Sequence, residues 1–161
     1  MKPLIIWDID GPLNPYLSST VSADPNYVWW GGDWNHGWFD VVNHRQWILE
    51  LLERDVEMVW GSNWQEDCLR VNFLFDFPDE MGYIPLAHST ENTWKLDSII
   101  SYVDERHYNA PIIWLDDEIG ERGFEWARER PDTLLVKVDP AIGWSESERN
   151  DIHKFLDLYI L

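Results

Sequence analysis

The amino-acid sequence predicts an α/β fold built on a parallel sheet. Short runs rich in Ile, Leu, Val and Trp recur along the 161 residues, and each is followed by a turn or a polar break. Segments with apolar residues at helical spacing lie between these runs. Strands that alternate with helices form a parallel sheet covered on both faces. We therefore expect a Rossmann-like sheet of about five strands, at residues 4–9, 56–62, 81–87, 111–117 and 133–139, with 81–87 the weakest.

Helices are predicted between and after these strands, at residues 43–54, 63–73, 91–104 and toward the end of the chain. Thr90 is a plausible cap for the third helix, and Ser145 followed by Glu148 is a capping-box signature for the last. Residues 12–42 show neither helical nor strand spacing of apolar residues throughout, and they contain several Pro and Gly. We expect one domain over residues 1–161, with these residues inserted as a flap after the first strand.

Composition narrows the classes of function. The net charge is −18, with 30 acidic against 12 basic residues, so long nucleic acid is disfavoured as a partner, although not excluded. The N-terminal apolar run is too short for a signal peptide, and no later run reaches the roughly 18 uncharged residues of a membrane span. We expect a cytoplasmic protein without a membrane partner. Cys68 is the single cysteine, which rules out an internal disulfide and a cysteine-built zinc site.

Two carboxylates stand at the end of the first predicted strand. Asp8 and Asp10 are two residues apart, so extended backbone aims both at one face before Gly11 permits a turn. Such a pair repels unless a cation joins it, and Mg²⁺ suits a site of oxygen ligands that leaves positions open. Ligands of parallel α/β sheets bind beyond the carboxyl ends of the strands, where other runs end in Ser62, Asp116 and Asp117.

The motif at the first strand resembles the first motif of the haloacid dehalogenase-like (HAD) superfamily, a strand ending in DxDGxL. Residues 8–13 match it as Asp-Ile-Asp-Gly-Pro-Leu. The other three motifs of that superfamily are a Ser or Thr at a strand end, a Lys near a helix start and a pair of acids after a later strand. They are matched in the required order by Ser62 with Asn63, by Lys95, and by Asp116 with Asp117. The resemblance spans residues 3 to about 139.

The resemblance implies a magnesium-dependent phosphatase that works through an aspartyl-phosphate intermediate. Asp8 would be the nucleophile and a ligand of Mg²⁺. Asp10 would protonate the leaving oxygen and then activate water, and would offer its backbone carbonyl to the metal. Asp117 is the first choice for the remaining ligand, with Asp116 orienting water or Lys95, although the reverse assignment stays open.

The phosphoryl group would be held by Ser62, Asn63 and Lys95. The Ser62 hydroxyl and the Asn63 amide could hold one phosphoryl oxygen at a helix start. Lys95 and Ser62 would neutralise and grip the phosphoryl oxygens as charge spreads over them.

The inserted segment bears on the substrate. In the superfamily this position carries a flap or a cap, and residues 12–42 are too few for a separate cap domain. Trp rings can stack a base, so a small phosphorylated substrate such as a nucleotide is favoured over a sugar phosphate, although any one ring could instead pack on the core. His36 and His44 are expected at the surface or in the flap. The candidate stacking residues are Trp29, Trp30, Trp34 and Trp38.

Two other functions are compatible with the sequence. Polynucleotide end-processing phosphatases share the same motifs. A non-catalytic acidic binding protein, or a mimic of DNA, would account for the charge, although every catalytic position is filled. The sequence makes no prediction of the oligomeric state.

Overall fold

A parallel sheet lies at the centre of the molecule. The computed structural model describes residues 1–87, 95–107 and 109–160. Four strands of the described residues form this sheet in the order β4-β1-β5-β6, and β2 and β3 pair separately. The Rossmann-like α/β prediction is confirmed. The strands are β1 (Leu4–Trp7), β2 (Tyr27–Gly31), β3 (His36–Asp40), β4 (Glu57–Trp60), β5 (Ile112–Asp116) and β6 (Thr133–Lys137).

Helices cover both faces of the sheet. Buried residues of α1, α2 and α5 pack on one face and those of α3 on the other, where Trp126 of α4 joins them. Successive residues of β1 point to alternate faces, so this central strand is buried throughout. The helices are α1 (Asn43–Leu52), α2 (Cys68–Phe75), α3 (Leu96–Arg106), α4 (Glu121–Glu129) and α5 (Glu146–Leu156).

The helix boundaries differ from the predicted ones in two places. The segment predicted to be helical from residue 63 forms a short 3-10 helix at Gln65–Asp67, and α2 begins only at Cys68. The predicted cap Thr90 and residues 91–94 lie outside the described residues. The capping box of α5 is confirmed, because Ser145 and Glu148 each accept a hydrogen bond from the backbone of the other.

The predicted strand at residues 81–87 is wrong. Tyr83 forms only an isolated parallel bridge with Trp60, at the outer edge of β4. The amide of Trp60 donates to Gly82, and the amide of Ile84 donates back to Trp60. The next amide that could pair with β4 is that of Leu86, and it donates instead to the side chain of Gln65 at 3.1 Å, so the ladder does not continue. Over the part of the chain that the structure describes, the sheet therefore has four strands instead of about five.

The inserted segment contains an antiparallel hairpin formed by β2 and β3. Trp29 lies opposite Trp38, and Gly31 lies opposite His36. These residues share one face of the hairpin. The other face carries Phe39, which is fully buried against the core. The hairpin is thus anchored to the body of the protein by one face and presents an aromatic second face.

His44 was predicted to lie at the surface or in the flap, and this prediction is wrong. It lies in α1, is 2% exposed, and places Nε2 2.7 Å from the carbonyl oxygen of Trp144. Its Nδ1 has no hydrogen-bond partner among the described residues. Burial lowers the pKa of His44, and the Trp144 carbonyl and the charge of Asp40 offset only part of this effect. The helical spacing of α1 did not reveal this position because His44 is polar.

In the described part of the chain, no helix is both long enough and apolar enough to cross a membrane.

Burial of neutral His44 should make stability depend on pH. Below an ordinary histidine pKa of about 6.5, the unfolded chain binds a proton that the native state resists, so the free energy of unfolding should fall as pH decreases. His44→Gln removes the titrating group and keeps an amide that can reach the Trp144 carbonyl. Urea unfolding between about pH 5 and pH 7.5 should give a slope that is shallower in the variant, by at most about 1.4 kcal/mol per pH unit. Identical slopes would show that His44 does not contribute.

Candidate active site

A cavity of about 380 Å³ lies at the carboxyl end of the sheet. It gathers residues of all four sequence motifs, although Ser62 and Asp116 lie buried beside it instead of lining it. The register explains the convergence, since Trp7 pairs with both Trp60 and Leu115 and each strand continues from there into a motif. The lining residues are Asp8, Asp10, Asn14, Tyr16, His36, Asn63, Lys95, Asp117 and Glu118.

A buried ion-pair network stands at the base of the cavity. Nζ of Lys95 lies 2.8 Å from Oδ2 of Asp8 and 2.8 Å from Oδ2 of Asp116. The three residues are 5%, 3% and 0% exposed, respectively. Burial opposes the charge of Lys95, but the two carboxylates outweigh it and raise the pKa of the amine. Burial and the charge of Asp116 raise the pKa of Asp8, and Lys95 offsets this only in part.

The paired acids after β5 have different surroundings. Oδ2 of Asp116 also accepts a hydrogen bond from the indole of Trp114 at 3.3 Å, and Oδ1 accepts one from the amide of Glu118 at 2.9 Å. Asp117 is half-buried, lines the cavity and accepts a 2.6 Å hydrogen bond from the hydroxyl of Tyr16. Asp116 is thus held by protein donors on both oxygens, whereas Asp117 faces open space.

The donor set at this site fits a hard divalent cation. Asp8, Asp116 and Asp117 each offer an oxygen, and these oxygens lie within 4.8 Å of one another. Burial, together with the charges of Asp116 and Glu118, raises the pKa of Asp117 to about 6 even though Tyr16 donates to it. Three carboxylates against one lysine leave a negative excess, and oxygen ligands of this kind are those that Mg²⁺ prefers. The residues present therefore fit a magnesium ion.

A glycine allows the two acidic motifs to meet. Gly11 has a φ of +101°, and a Cβ at this position would lie 2.7 Å from the side chain of Asp117. Any other residue would both strain the backbone and push Asp117 away. The requirement for glycine in the first motif is therefore steric as well as conformational.

Both oxygens of Asp10 accept hydrogen bonds. The side-chain amide of Asn14 donates to Oδ1 at 2.8 Å, and the indole of Trp64 donates to Oδ2 at 3.1 Å. Neither donor was a candidate on the sequence. Their contacts with Asp10 depend on how the turn and the loop fold, which no local sequence pattern shows.

Ser62 and Asn63 occupy a turn instead of the predicted helix start. Ser62 follows β4, is fully buried, and its hydroxyl accepts a hydrogen bond from the amide of Trp64 at 3.3 Å. Its carbonyl accepts one from the side chain of Gln65 at 2.8 Å. Asn63 lines the cavity. Because α2 begins only at Cys68, Ser62 and Asn63 do not belong to its first turn.

The four candidate tryptophans separate into three environments. Trp29 and Trp38 pack edge to face at 5.5 Å on the outer face of the hairpin, and the Trp29 ring lies 4.7 Å from that of His36, which lines the cavity. Trp30 points the opposite way and donates to the carbonyl of Arg70 at 3.3 Å. Trp34 lies in the turn of the hairpin and is 91% exposed.

This combination of fold and site defines the class of protein. A parallel α/β sheet that brings an aspartate pair, a serine, a lysine and a second acid pair to one edge is the arrangement of HAD-like hydrolases. A family model described as "HAD domain in Swiss Army Knife RNA repair proteins" matches residues 4–148. The chain belongs to this family. A search of curated proteins finds no match to the chain.

Proposed function

We propose that the protein is a magnesium-dependent phosphatase that hydrolyses phosphate monoesters through an aspartyl-phosphate on Asp8. The observation that carries this proposal is the buried network in which Lys95 bridges Asp8 and Asp116 at the base of an open cavity. Burying a lysine together with several carboxylates costs hydration free energy, and a bound cation would offset the repulsion among the carboxylates. Membership of the HAD family supports the same reaction class.

The chemistry proceeds in two displacements. A carboxylate oxygen of Asp8 attacks phosphorus, the bond from phosphorus to the leaving oxygen breaks, and Asp10 gives that oxygen a proton. Asp10 then takes a proton from water, whose oxygen attacks the phosphorus of the intermediate. The bond between phosphorus and Asp8 breaks, which releases inorganic phosphate and restores both aspartates.

We assign the metal ligands to Asp8, Asp117 and the backbone carbonyl of Asp10. A bound Mg²⁺ supplies a Lewis acid and a template for the phosphoryl group. Asp117 is preferred over Asp116 because it lines the cavity, whereas Asp116 is fully buried beside it. Asp116 then serves to orient Lys95. The lysine, the Ser62 hydroxyl and Asn63 hold the phosphoryl oxygens, where charge accumulates during transfer.

The substrate we propose is a nucleotide or a phosphorylated nucleic-acid end. The outer face of the hairpin, with Trp29, His36 and Trp38, adjoins the cavity and offers aromatic rings to a base. The description of the matching family as a domain of RNA repair proteins favours a polynucleotide end as a second candidate. The net charge of −18 favours a short or single-stranded end over a long duplex.

A direct comparison separates the two substrates. The value of kcat/KM is measured for a nucleoside monophosphate and for an oligoribonucleotide that carries the same terminal phosphate. A larger value for the oligonucleotide supports end processing, and a larger value for the mononucleotide supports a nucleotidase. Tight binding of a DNA-binding protein that survives Asp8→Asn, without phosphatase activity on a broad panel, would establish the non-catalytic alternative.

Asp8→Asn should abolish turnover while leaving the fold intact. The amide cannot attack phosphorus, but it nearly preserves the shape of the carboxylate and relieves its repulsion with Asp116. Phosphate release from an aryl phosphate checks activity, and thermal unfolding checks the fold. Beryllofluoride should form its adduct on Asp8 of the wild type, and an adduct on another residue would overturn the nucleophile assignment.

Mg²⁺ should stabilise the folded protein as well as activate it. An ion at 100 times its dissociation constant adds about 2.7 kcal/mol to the free energy of unfolding, and EDTA should reverse both effects. Asp117→Asn should reduce the shift in Tm, whereas Asp79→Asn, which removes an exposed acid elsewhere, should leave it unchanged. Full activity in EDTA, or the same shift in both variants, would remove the metal assignment.

Trp29→Ala should weaken the use of a nucleotide by about 1–3 kcal/mol in kcat/KM, because base stacking on the ring is lost. A small aryl phosphate should be spared. Trp34→Ala is the matched control, since Trp34 belongs to the same hairpin but is 91% exposed in its turn. Equal losses on both substrates for Trp29→Ala, or a better turnover of sugar phosphates by the wild type, would show that nucleotide stacking is not used.

A further inference from the structure

Asn14 links the first motif to the hairpin through its side chain. The residue is 5% exposed, its Nδ2 donates to Oδ1 of Asp10 at 2.8 Å, and its Oδ1 accepts from the amide of Trp38 at 3.1 Å. A backbone amide can only donate, so the carbonyl end of the carboxamide must face Trp38. The NH₂ end therefore faces Asp10, and the orientation of the side chain is fixed from both sides.

We propose that Asn14 is a positioning residue that couples the β2–β3 hairpin to Asp10. With the hairpin seated over the site, Asn14 holds the carboxylate of Asp10 in one orientation for proton transfer. This inference rests on the proposed function, because it assumes that Asp10 is the acid and base of the reaction.

The backbone anchors Asn14 to the first motif. Its amide donates to the carbonyl of Ile9 at 2.9 Å, and its carbonyl accepts from the amide of Gly11 at 2.8 Å. The turn from residue 9 to residue 14 thus brings positions 10 and 14 together independently of the hairpin. The hairpin then closes the connection by way of Trp38.

Gly37 provides an independent sign that β3 fits closely against the carboxamide. A Cβ at this glycine would lie 2.3 Å from Cγ and Nδ2 of Asn14 and 2.5 Å from Oδ1. Real Cβ atoms do not approach so closely, so any larger residue must displace either the strand or the side chain of Asn14. The backbone approach at Gly37 is what allows Trp38 to reach its acceptor.

The second hydrogen-bond donor to Asp10 also contacts the hairpin. Trp64, which donates to Oδ2 of Asp10, is 3% exposed and packs edge to face on Phe39 of β3 at 6.0 Å. Both oxygens of the carboxylate are therefore oriented by residues that contact β3. Each of the two donors occupies one lone pair of its oxygen, so each oxygen keeps a second lone pair.

A role in positioning Asp10 predicts dependence on the leaving group. An alkyl oxygen needs a proton as it departs, whereas dinitrophenolate leaves without one. Because kcat/KM reports the steps up to departure of the leaving group, the comparison isolates the acid step from the later attack of water. General damage to the fold would lower kcat/KM for both substrates alike.

The experiment compares Asn14→Ala and Gly37→Ala with the wild type, in Mg²⁺, on 2,4-dinitrophenyl phosphate and on the best alkyl phosphate of a nucleotide panel. Gly37→Ala displaces the carboxamide without removing any of its polar atoms. We expect kcat/KM on the alkyl phosphate to fall about 10- to 100-fold, part of the roughly 10²- to 10⁴-fold that acid–base catalysis contributes, and to change less than about 3-fold on the activated ester. Gly82→Ala is the control, since nothing lies within 4 Å of the added Cβ.

Asn14→Asp keeps the acceptor for Trp38 but loses the donor to Asp10, so it should show the same selective loss. Asp10→Asn tests the assumption beneath the inference and should show the largest selective loss. If Asp10→Asn lowers kcat/KM equally on both substrates, Asp10 is not the acid of the reaction, and Asn14 cannot act through it. In the other contrary outcome, Asp10→Asn lowers kcat/KM selectively on the alkyl phosphate while Asn14→Ala and Asn14→Asp lower kcat/KM equally on both substrates, or on neither. That result would overturn the coupling through Asn14 and leave the proposed function standing.

Discussion

The ion pairs of Lys95 with Asp8 and Asp116 are the constraint on which the site depends. One ammonium group lies between two carboxylates that come from adjacent strands, and all three residues are removed from water. A buried cluster of three charges is stable only if the distances between the charges are short and fixed, because each charge loses its hydration on burial. The register between β1 and β5 supplies that geometry, since Trp7 and Leu115 are paired one residue before the two acids.

The same constraint separates the roles of the neighbouring acids. Asp116 is engaged by Lys95, Trp114 and the Glu118 amide, whereas the next acid, Asp117, lines the cavity. Gly11 then has to be a glycine, because the turn of the first motif lies directly against Asp117. Of the two consecutive acids, Asp116 therefore orients the lysine, and Asp117 is available to a cation.

The sequence predicted the architecture and the convergence of four motifs, because both follow from local patterns and from the parallel order of strands. It did not predict contacts that depend on how distant segments pack. The burial of His44 depends on the packing of α1 against Trp144. The edge at Tyr83 forms only one bridge, because the amide of Leu86 donates to Gln65 instead of to β4. Asn14, Tyr16 and Trp64 carried no motif, and their relation to the acids depends on a turn, a hydroxyl and an indole placed by tertiary structure.

The attachment of the hairpin has a consequence for how such a domain can diverge. The chain leaves the sheet after β1, passes through the inserted segment to α1, and re-enters the sheet at β4. The length and the exposed side chains of the inserted segment can therefore vary at small entropic cost while the sheet and its ion pairs stay unchanged. The inner contacts of β3 impose the limit on this freedom. The outer aromatic face can therefore be exchanged for polar groups, provided that a small residue still meets Asn14 at the position of Gly37.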